Sequence, residues 1–153
     1  MRVATDDEKL RALNLLCNRL YRSFSLYYLK TRIYPMLQAN SELQVESSVI
    51  LAVKDACVEA VLMSIRDLDD FFQPRTEKTR HDDLRATDFF GYQSSGSFLS
   101  GTERNSINQW IAHLTYQPVW TGTTGVSPDI QKNWNTVELI GKAARSVFDF
   151  LII

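Results

Sequence analysis

Apolar side chains recur at alternating spacings of three and four along four separate stretches of this 153-residue chain. A period near 3.6 residues is typical of an amphipathic α-helix, which must bury its apolar stripe against another element. This pattern limits the possible folds more than any other feature, because four such helices pack most simply as a bundle. The sequence therefore predicts an all-α fold.

The first stretch begins at Thr5-Asp6-Asp7-Glu8, where Thr5 and Glu8 can satisfy each other's backbone N–H groups as a capping box. Its apolar stripe contains Leu10, Leu13, Cys17, Leu20, Phe24 and Tyr27. The helix is predicted to end near Lys30 or Arg32, because Pro35 disfavours helical geometry in the residue before it.

The second stretch follows Asn40-Ser41, a predicted N-cap, and should end near Phe72 because Pro74 cannot continue a helix. Its stripe contains Val49, Val53, Ala56, Cys57, Ala60, Met63 and Phe71. Each of these two helices would be about 40 Å long at 1.5 Å per residue. Such lengths favour an antiparallel hairpin inside a bundle.

Two shorter helices complete the prediction. The third begins near Thr102 and Glu103, carries Ile107, Trp110, Ile111 and Leu114, and ends at Pro118. The last begins at Ser127-Pro128-Asp129 and carries Ile130, Trp134, Val137, Ile140, Ala144, Val147 and Leu151. Only the segment VWTGTTGV at 119–126 resembles a strand.

Residues 74–101 are predicted to form a long irregular loop between the second and third helices. One short helix is expected over 83–90, and the glycine- and serine-rich segment 91–101 is expected to be a mobile loop. The whole chain, 1–153, is thus predicted to be a single domain, a four-helix bundle with two long and two shorter helices.

The sequence argues against a secreted protein, a membrane-spanning protein and a zinc-binding protein. The opening MRVATDDE lacks the apolar run of a secretory signal, and no apolar string approaches the ~20 residues of a membrane span. A cytoplasmic protein without membrane contact is therefore expected. Cys17 and Cys57 fall on predicted apolar stripes, which indicates buried thiols, and neither has the neighbours of a zinc ligand. The sequence predicts no cofactor and no dedicated metal site.

The net charge of −1 argues against general nucleic-acid binding, but the charges are unevenly distributed. Residues 1–35 carry seven Lys/Arg and three Asp/Glu, whereas residues 36–72 carry two and seven. One interpretation is attraction between the first two helices or between two subunits. The other is a basic face for phosphate on the first helix.

Three acids lie close together at the predicted end of the second helix, in Arg66-Asp67-Leu68-Asp69-Asp70. Arg66 and Asp70 are four residues apart and can form an ion pair on the helix surface. Carboxylates are disfavoured near a helix C-terminus by the helix dipole. A partner cation that the sequence does not identify is therefore expected there.

A second charged cluster, RTEKTRHDD, covers residues 75–83. His81 stands beside Asp82 and Asp83, and Asp88 follows, so these side chains could orient the imidazole or take part in binding a metal or small molecule. With only two histidines in the chain, a solvated charged loop is the simpler interpretation.

The other histidine, His113, lies at the edge of the apolar stripe of the third helix. At about 100° per residue, Asn108 and His113 are about 140° apart and flank that stripe on opposite sides. A histidine at such a boundary is more often a hydrogen-bonded structural residue than a catalyst.

The segments IRDLDDFF at 65–72, HDDLRATDFF at 81–90 and INQWIAHLTY at 107–116 resemble a group of small uncharacterised bacterial helical proteins, with AHLTY the most specific element. More distantly, four helices with a histidine on the third are similar to the HEPN superfamily. That resemblance implies a homodimer in which an arginine, followed by four to six residues and then a histidine, lies in a shared cleft. The pair would cut RNA through its 2′-hydroxyl without a metal, the histidine transferring protons and the arginine stabilising phosphate charge.

His113 matches the histidine of that motif, and the position with four intervening residues is occupied by Asn108, which has no positive charge. Arg104 has eight residues between it and His113, which is outside the motif spacing, and lies about 180° around the helix from it. Arg66 is on the second helix and could supply a cation from there. Arg75 and His81 satisfy the spacing but lie in the predicted loop. The leading hypothesis is a homodimeric interaction or regulatory module that binds protein or RNA; the alternative is a metal-independent ribonuclease using His113 with Arg66, Arg104 or Asn108.

Overall fold

The computed structural model describes residues 5–40, 46–80, 83–89, 92–93, 96–116 and 134–152, with backbone alone at 47–48, 51 and 109–116. Five α-helices lie in these ranges: α1 Asp6–Tyr28, α2 Tyr34–Ala39, α3 Ser47–Phe72, α4 Gly101–Tyr116 and α5 Thr136–Leu151. Two of them are long, two are of sixteen residues, and the described residues contain no strand. The predicted all-α class is confirmed. The strand-like segment 119–126 lies outside the described residues.

The capping box at the start of α1 is confirmed. The Glu8 N–H donates to Thr5 Oγ1 at 3.3 Å, and the Thr5 N–H donates to the Glu8 carboxylate at 2.9 Å. Two backbone donors that the first turn leaves unpaired are thereby satisfied.

The prediction that Pro35 ends the first helix is wrong. A π-helical turn, Leu29–Ile33, follows α1, and the Tyr34 N–H donates to the Leu29 carbonyl five residues earlier. The wider turn changes which carbonyl faces the proline ring, so the helical path continues into α2 with Pro35 in its first turn, where no N–H is needed. The Thr31 hydroxyl donates to the Tyr27 carbonyl at 2.8 Å and satisfies an acceptor in this turn.

Asn40 is not the N-cap of the second long helix. It ends α2, and α3 begins at Ser47, whereas residues 41–45 lie outside the described residues. The predicted end of this helix is confirmed, because α3 stops at Phe72 two residues before Pro74.

The contacts in the core define the relative directions of α1, α3 and α5. Leu16 packs with Leu68, whereas Leu26 and Leu29 pack with Ile50 and Cys57, so α1 and α3 are antiparallel. The α5 helix is parallel to α3, since its beginning packs near Val61, Leu62 and Ile65 and its end packs near Phe71 and Phe72. The α1 and α5 helices are therefore antiparallel neighbours.

The stripes predicted to be buried are wrong in part. In α1, the fully buried residues are Ala12, Leu16 and Ser23, whereas Leu10 and Phe24 are exposed. Cys57 is buried as predicted, but Cys17 is exposed. In α3, the predicted Val49, Val53 and Met63 are exposed and the core is formed by Ile50, Cys57, Val61, Leu62, Ile65, Leu68 and Phe72.

The last helix begins later than predicted. Trp134 and Asn135 are not helical, and the Asn135 side chain caps α5 by accepting from the Glu138 N–H at 3.2 Å. The predicted start at Ser127-Pro128-Asp129 lies outside the described residues. Val137 and Leu151 are exposed, while Ile140 and Val147 are buried as predicted.

The loop between α3 and α4 is more compact than its composition indicates. The short helix predicted over 83–90 is one 3₁₀ turn, Ala86–Asp88, because the Asp88 side chain accepts from the Arg85 N–H at 2.8 Å and closes the turn. Beyond it, Leu99 is buried in the core, and Gly96 adopts a positive φ of 88°. None of the helices within the described ranges has the length and apolar character needed to cross a membrane.

Candidate functional site

The sequence-predicted site residues fall mainly on two neighbouring helices. Arg66 lies on α3, and Arg104 and Asn108 lie one turn apart on α4. The backbone of His113 is part of α4, but its side chain lies outside the described residues. His81 and Asp82 also lie outside them.

Arg104 is the cation for two of the three acids at the end of α3. Its guanidinium donates to the carboxylates of both Asp69 and Asp70. Asp69 is completely buried, and the Arg104 side chain is 27% exposed. A buried carboxylate is tolerated only when it is paired and hydrogen-bonded, so this ion pair explains how an acid can lie inside the bundle.

Asp69 also accepts hydrogen bonds from the loop before α4. The Ser97 hydroxyl donates to it at 2.7 Å, the Leu99 N–H at 3.1 Å and the Gln73 side-chain amide at 3.3 Å. Asp69 therefore joins three segments: α3, the loop at 97–99 and the first turn of α4.

Arg66 takes part at the edge of this network. Its Nε lies 3.9 Å from Asp70 Oδ2, which confirms the ion pair predicted from the spacing of four. Arg66 and Arg104 thus share Asp70, and the structure brings together two of the candidate cations. Both are balanced by Asp69 and Asp70, so the cluster offers two positive and two negative groups rather than a free cation for phosphate.

Asn108 lies one helical turn beyond Arg104, beside buried Ile107. Its Oδ1 atom and Arg66 Nε are buried, and neither has a hydrogen-bond partner among the described residues. Asn108 supplies an unpaired acceptor where the nuclease motif needs a positive charge.

The charged loop that begins at Arg75 is held in place by ion pairs and hydrogen bonds within the chain, in contrast to the solvated loop that the sequence predicted. Arg75 donates from Nε and Nη2 to the two oxygens of buried Asp88, each at 2.8 Å, and Nη2 also donates to the Asp83 carbonyl at 2.6 Å. This bidentate ion pair raises the pKa of Arg75. Asp88, considered above as a metal ligand, is held by an arginine. Within the described residues, no three His, Cys, Asp or Glu side chains lie close enough to hold a metal ion.

A cleft lies between α1, the end of α3 and the loop around Arg85. It has a volume of about 580 Å³, an apolar floor that includes Leu15, Leu16 and Phe71, and charged walls. The walls are neutralised within the chain: Arg19 pairs with Asp67 at 2.9 Å and Arg85 with Asp83 at 3.4 Å. The Arg19–Asp67 contact joins α1 to α3, as the segregated charges predict.

The two cysteines have different surroundings. Burial raises the pKa of the Cys57 thiol, and a hydrogen bond with Tyr34 opposes that effect. Burial also raises the pKa of the Tyr34 hydroxyl. Cys57 is thus a packed thiol of low reactivity, whereas Cys17 is accessible.

A further ion pair joins α4 to α5. Lys142 Nζ lies 2.7 Å from Glu103 Oε1 and 3.1 Å from Glu138 Oε1, and the Ser100 N–H donates to Glu103 at 2.8 Å. Burial alone would raise the pKa of Glu103, but the hydrogen bonds from Lys142 and Ser100 outweigh it and the pKa falls below its usual 4.5. The same contacts with Glu103 and Glu138 raise the pKa of Lys142.

Replacing Glu103 with glutamine should therefore remove an acid-sensitive part of the stability. Because the folded-state pKa of Glu103 is depressed, its contribution is present above pH 4.5 and is lost as the pH falls through the folded-state value. We expect the wild type to exceed Glu103→Gln by about 0.5–1 kcal/mol at pH 7, and the gap to close by pH 3. Urea unfolding at several pH values measures this; a gap that stays constant from pH 7 to 3 would contradict it.

The surface contains two partly apolar stripes, several of whose residues the sequence pattern assigned to the core. Along α1, the exposed residues Leu10, Asn14, Cys17, Tyr21, Phe24 and Tyr28 follow spacings of four and three, the pattern of a coiled-coil seam. Tyr21 is 74% exposed and Tyr28 59%. On α5, the same spacing joins Val137, Gly141, Ala144, Phe148 and Leu151, and Phe148 is 60% exposed.

These two stripes face the same side of the molecule. Leu13 and Leu20, which lie between the α1 stripe and the buried side of α1, pack in the core cluster that contains Ala143 and Val147 of α5. At about 100° per residue, each stripe is turned by roughly 110–130° from the buried side of its own helix. The two helices run antiparallel, so the same rotation along each chain is clockwise on one helix and anticlockwise on the other when both are viewed from one end. The two stripes therefore point toward the same side of the molecule. We call these eleven residues the α1–α5 face.

Comparison of the chain with protein-family models, with curated protein sequences and with solved structures returned no match.

Proposed function

We propose that this chain is a cytoplasmic, HEPN-like helical interaction module that binds a protein partner through the α1–α5 face. The observation that supports this function best is the exposure of large apolar side chains in two adjoining coiled-coil stripes. Contiguous exposed apolar surface of this kind is typical of protein-binding sites. Scattered exposed residues would not repeat at spacings of three and four on two neighbouring helices.

The charged cluster supports an interaction module over the ribonuclease alternative. A phosphate-stabilising arginine must be free to meet substrate charge. Arg104 is engaged with Asp69 and Asp70, Arg66 is shared with Asp70, and Asn108 is uncharged. The cluster is better suited to holding α4 on α3 than to binding RNA.

Thiol chemistry at Cys17 can test the binding face directly, because Cys17 lies within it and Cys57 is buried. In cells that produce the chain natively, a thiol-to-amine crosslinker should give one discrete adduct. The adduct should be lost in a Tyr21→Asp/Phe148→Asp variant and kept in Leu15→Asp, which alters an exposed leucine of α1 outside the face. An adduct unaffected by the face variant, or none, would overturn the proposal; Cys17→Ser controls for labelling elsewhere.

Incubation with RNA separates this function from the alternative. A mixed pool of structured and unstructured RNA should stay intact in EDTA with the wild type and with His113→Ala, because the candidate arginines Arg66 and Arg104 are engaged with Asp69 and Asp70. Gel electrophoresis of end-labelled RNA is the readout. Cleavage by the wild type that disappears in His113→Ala would establish the ribonuclease instead.

A further inference from the structure

Resting on the proposed function, we infer that the partner segment bound by the α1–α5 face is a proline-rich stretch of another protein in the polyproline II conformation. The face is rich in aromatic rings, its eleven residues carry no charge, and its hydrogen-bond donors are not used within the described part of the chain. Each of these properties restricts the class of peptide that can cover it.

Aromatic side chains form the most prominent part of the face. Tyr21, Phe24 and Tyr28 make a ridge of exposed rings along α1, and Phe148 projects from α5. Proline-rich segments are recognised on surfaces lined by aromatic rings, because the flat apolar pyrrolidine ring packs well against an aromatic face. The ridge therefore offers the kind of surface on which prolines are held.

Small residues lie beside this ridge. Because Leu20 of α1 packs in the core cluster that contains Ala143 of α5, the neighbouring Gly141 and Ala144 lie level with the middle of the ridge. A side-chain Cβ built at Gly141 would meet nothing within 4 Å. A narrow extended peptide thus has room to lie along the rings.

The polar atoms of the face distinguish a polyproline II segment from a partner helix. The hydroxyls of Tyr21 and Tyr28 and the amide of Asn14 make no hydrogen bond to another described residue. A partner that covers them must supply acceptors, because a buried polar group without a hydrogen bond is destabilising. The carbonyls of a partner helix are bonded within that helix, whereas polyproline II has no internal hydrogen bonds and every carbonyl is free to accept.

The lack of acidic residues distinguishes proline from other extended sequences. None of the eleven residues of the face is Asp or Glu. An extended peptide of other residues presents backbone N–H groups as well as carbonyls, and the face has no carboxylate to accept from them. Proline has no N–H, and its fixed φ sets the extended conformation before binding, so less conformational entropy is lost.

The repeat of polyproline II also fits the tyrosine spacing. Tyr21 and Tyr28 are seven residues apart on α1, which is about 10.5 Å along the axis at 1.5 Å per residue. Prolines three residues apart in polyproline II are separated by about 9 Å at 3.1 Å per residue. Two prolines one turn apart can therefore each lie against one tyrosine.

Fluorescence anisotropy of fluorescein-labelled decaproline, titrated with the purified full chain, tests this inference. We expect a dissociation constant below about 1 mM for the wild type and for Leu15→Asp, and no binding of a labelled Gly-Ser decapeptide. Tyr21→Asp should raise the constant by about tenfold or more, because it removes a central ring. No binding of decaproline, or equal binding of the Gly-Ser peptide, would overturn the inference.

A conservative variant tests the hydrogen bonds separately from the rings. Tyr21→Phe/Tyr28→Phe keeps both rings and removes both hydroxyls, so the dissociation constant for decaproline should rise by about three- to tenfold. An unchanged constant would remove the reason for preferring polyproline II over a helix and would overturn the inference; circular dichroism confirms that each variant is folded.

The crosslinking experiment separates this inference from the proposed function. If decaproline does not bind but the Cys17 adduct in cells is still lost in Tyr21→Asp/Phe148→Asp, the face binds a protein of another kind and the interaction module stands. Failure of both experiments would overturn both proposals.

Discussion

Replacing Arg104 with alanine is expected to lower the free energy of unfolding by about 3–5 kcal/mol, because it leaves a buried carboxylate without its cation. Asp69 is completely buried. Its remaining donors, Ser97, Leu99 and Gln73, are all uncharged and cannot replace a guanidinium. The same change frees the first turn of α4 from α3. Both effects act on the folded state, so the loss should exceed that of an ordinary surface ion pair.

Urea unfolding of matched variants measures this loss. Asp70→Ala is the first control: Asp70 is 35% exposed and also contacts Arg104, and its removal should cost about 1 kcal/mol or less. Asp69→Asn in the Arg104→Ala background should recover part of the stability, because it removes the unpaired charge and keeps an acceptor for Ser97 and Leu99. Equal losses for Arg104→Ala and Asp70→Ala would contradict a buried, closed network.

The existence of the helices could be predicted from the sequence, but the faces they bury could not. In α1, apolar residues cover more of the helix surface than one core can use. The half-buried Leu13 and Leu20 and the exposed Leu10 and Phe24 all fit a period of 3.6. Periodicity indicates that a face is apolar; it does not indicate whether the chain itself or a partner covers that face.

Rules based on neighbouring residues also failed to predict the backbone in two segments, the turn before Pro35 and the loop before α4. Pro35 is a helix breaker only if the turn before it is α-helical, and the π-helical turn at Leu29–Ile33 removes that condition. No residue pattern in this segment identifies a π-helical turn in advance. The loop before α4 is ordered by Asp69 and Arg75, whose partners are distant in sequence.

At the candidate site, the sequence predicted that a cation was needed but could not identify which residue supplies it. Three acids at the end of α3 correctly indicated a missing cation, since the helix dipole disfavours them there. Arg104 is 34 residues from Asp70 and 35 from Asp69, and only the packing of α4 on α3 identifies it. Arg66–Asp70, by contrast, follows from spacing on one helix and was predictable.

Replacing Phe72 with alanine should cost about 3–5 kcal/mol, a loss similar to that of Arg104→Ala but from a different cause. Phe72 is 1% exposed at the end of α3, where the helix and the following loop close the core. Its ring centroid lies 5.2 Å from that of Phe71, 6.0 Å from Phe150 and 6.2 Å from Phe98. These are edge-to-face contacts, so truncation removes both buried area and aromatic pairing around a cavity that three elements would have to close.

The matched control is Phe148→Ala, which removes the same side chain from an exposed position on α5. Urea unfolding should show a loss below about 1 kcal/mol for Phe148→Ala. A loss for Phe148→Ala as large as that for Phe72→Ala would mean that the α5 stripe serves the fold of the single chain rather than a partner.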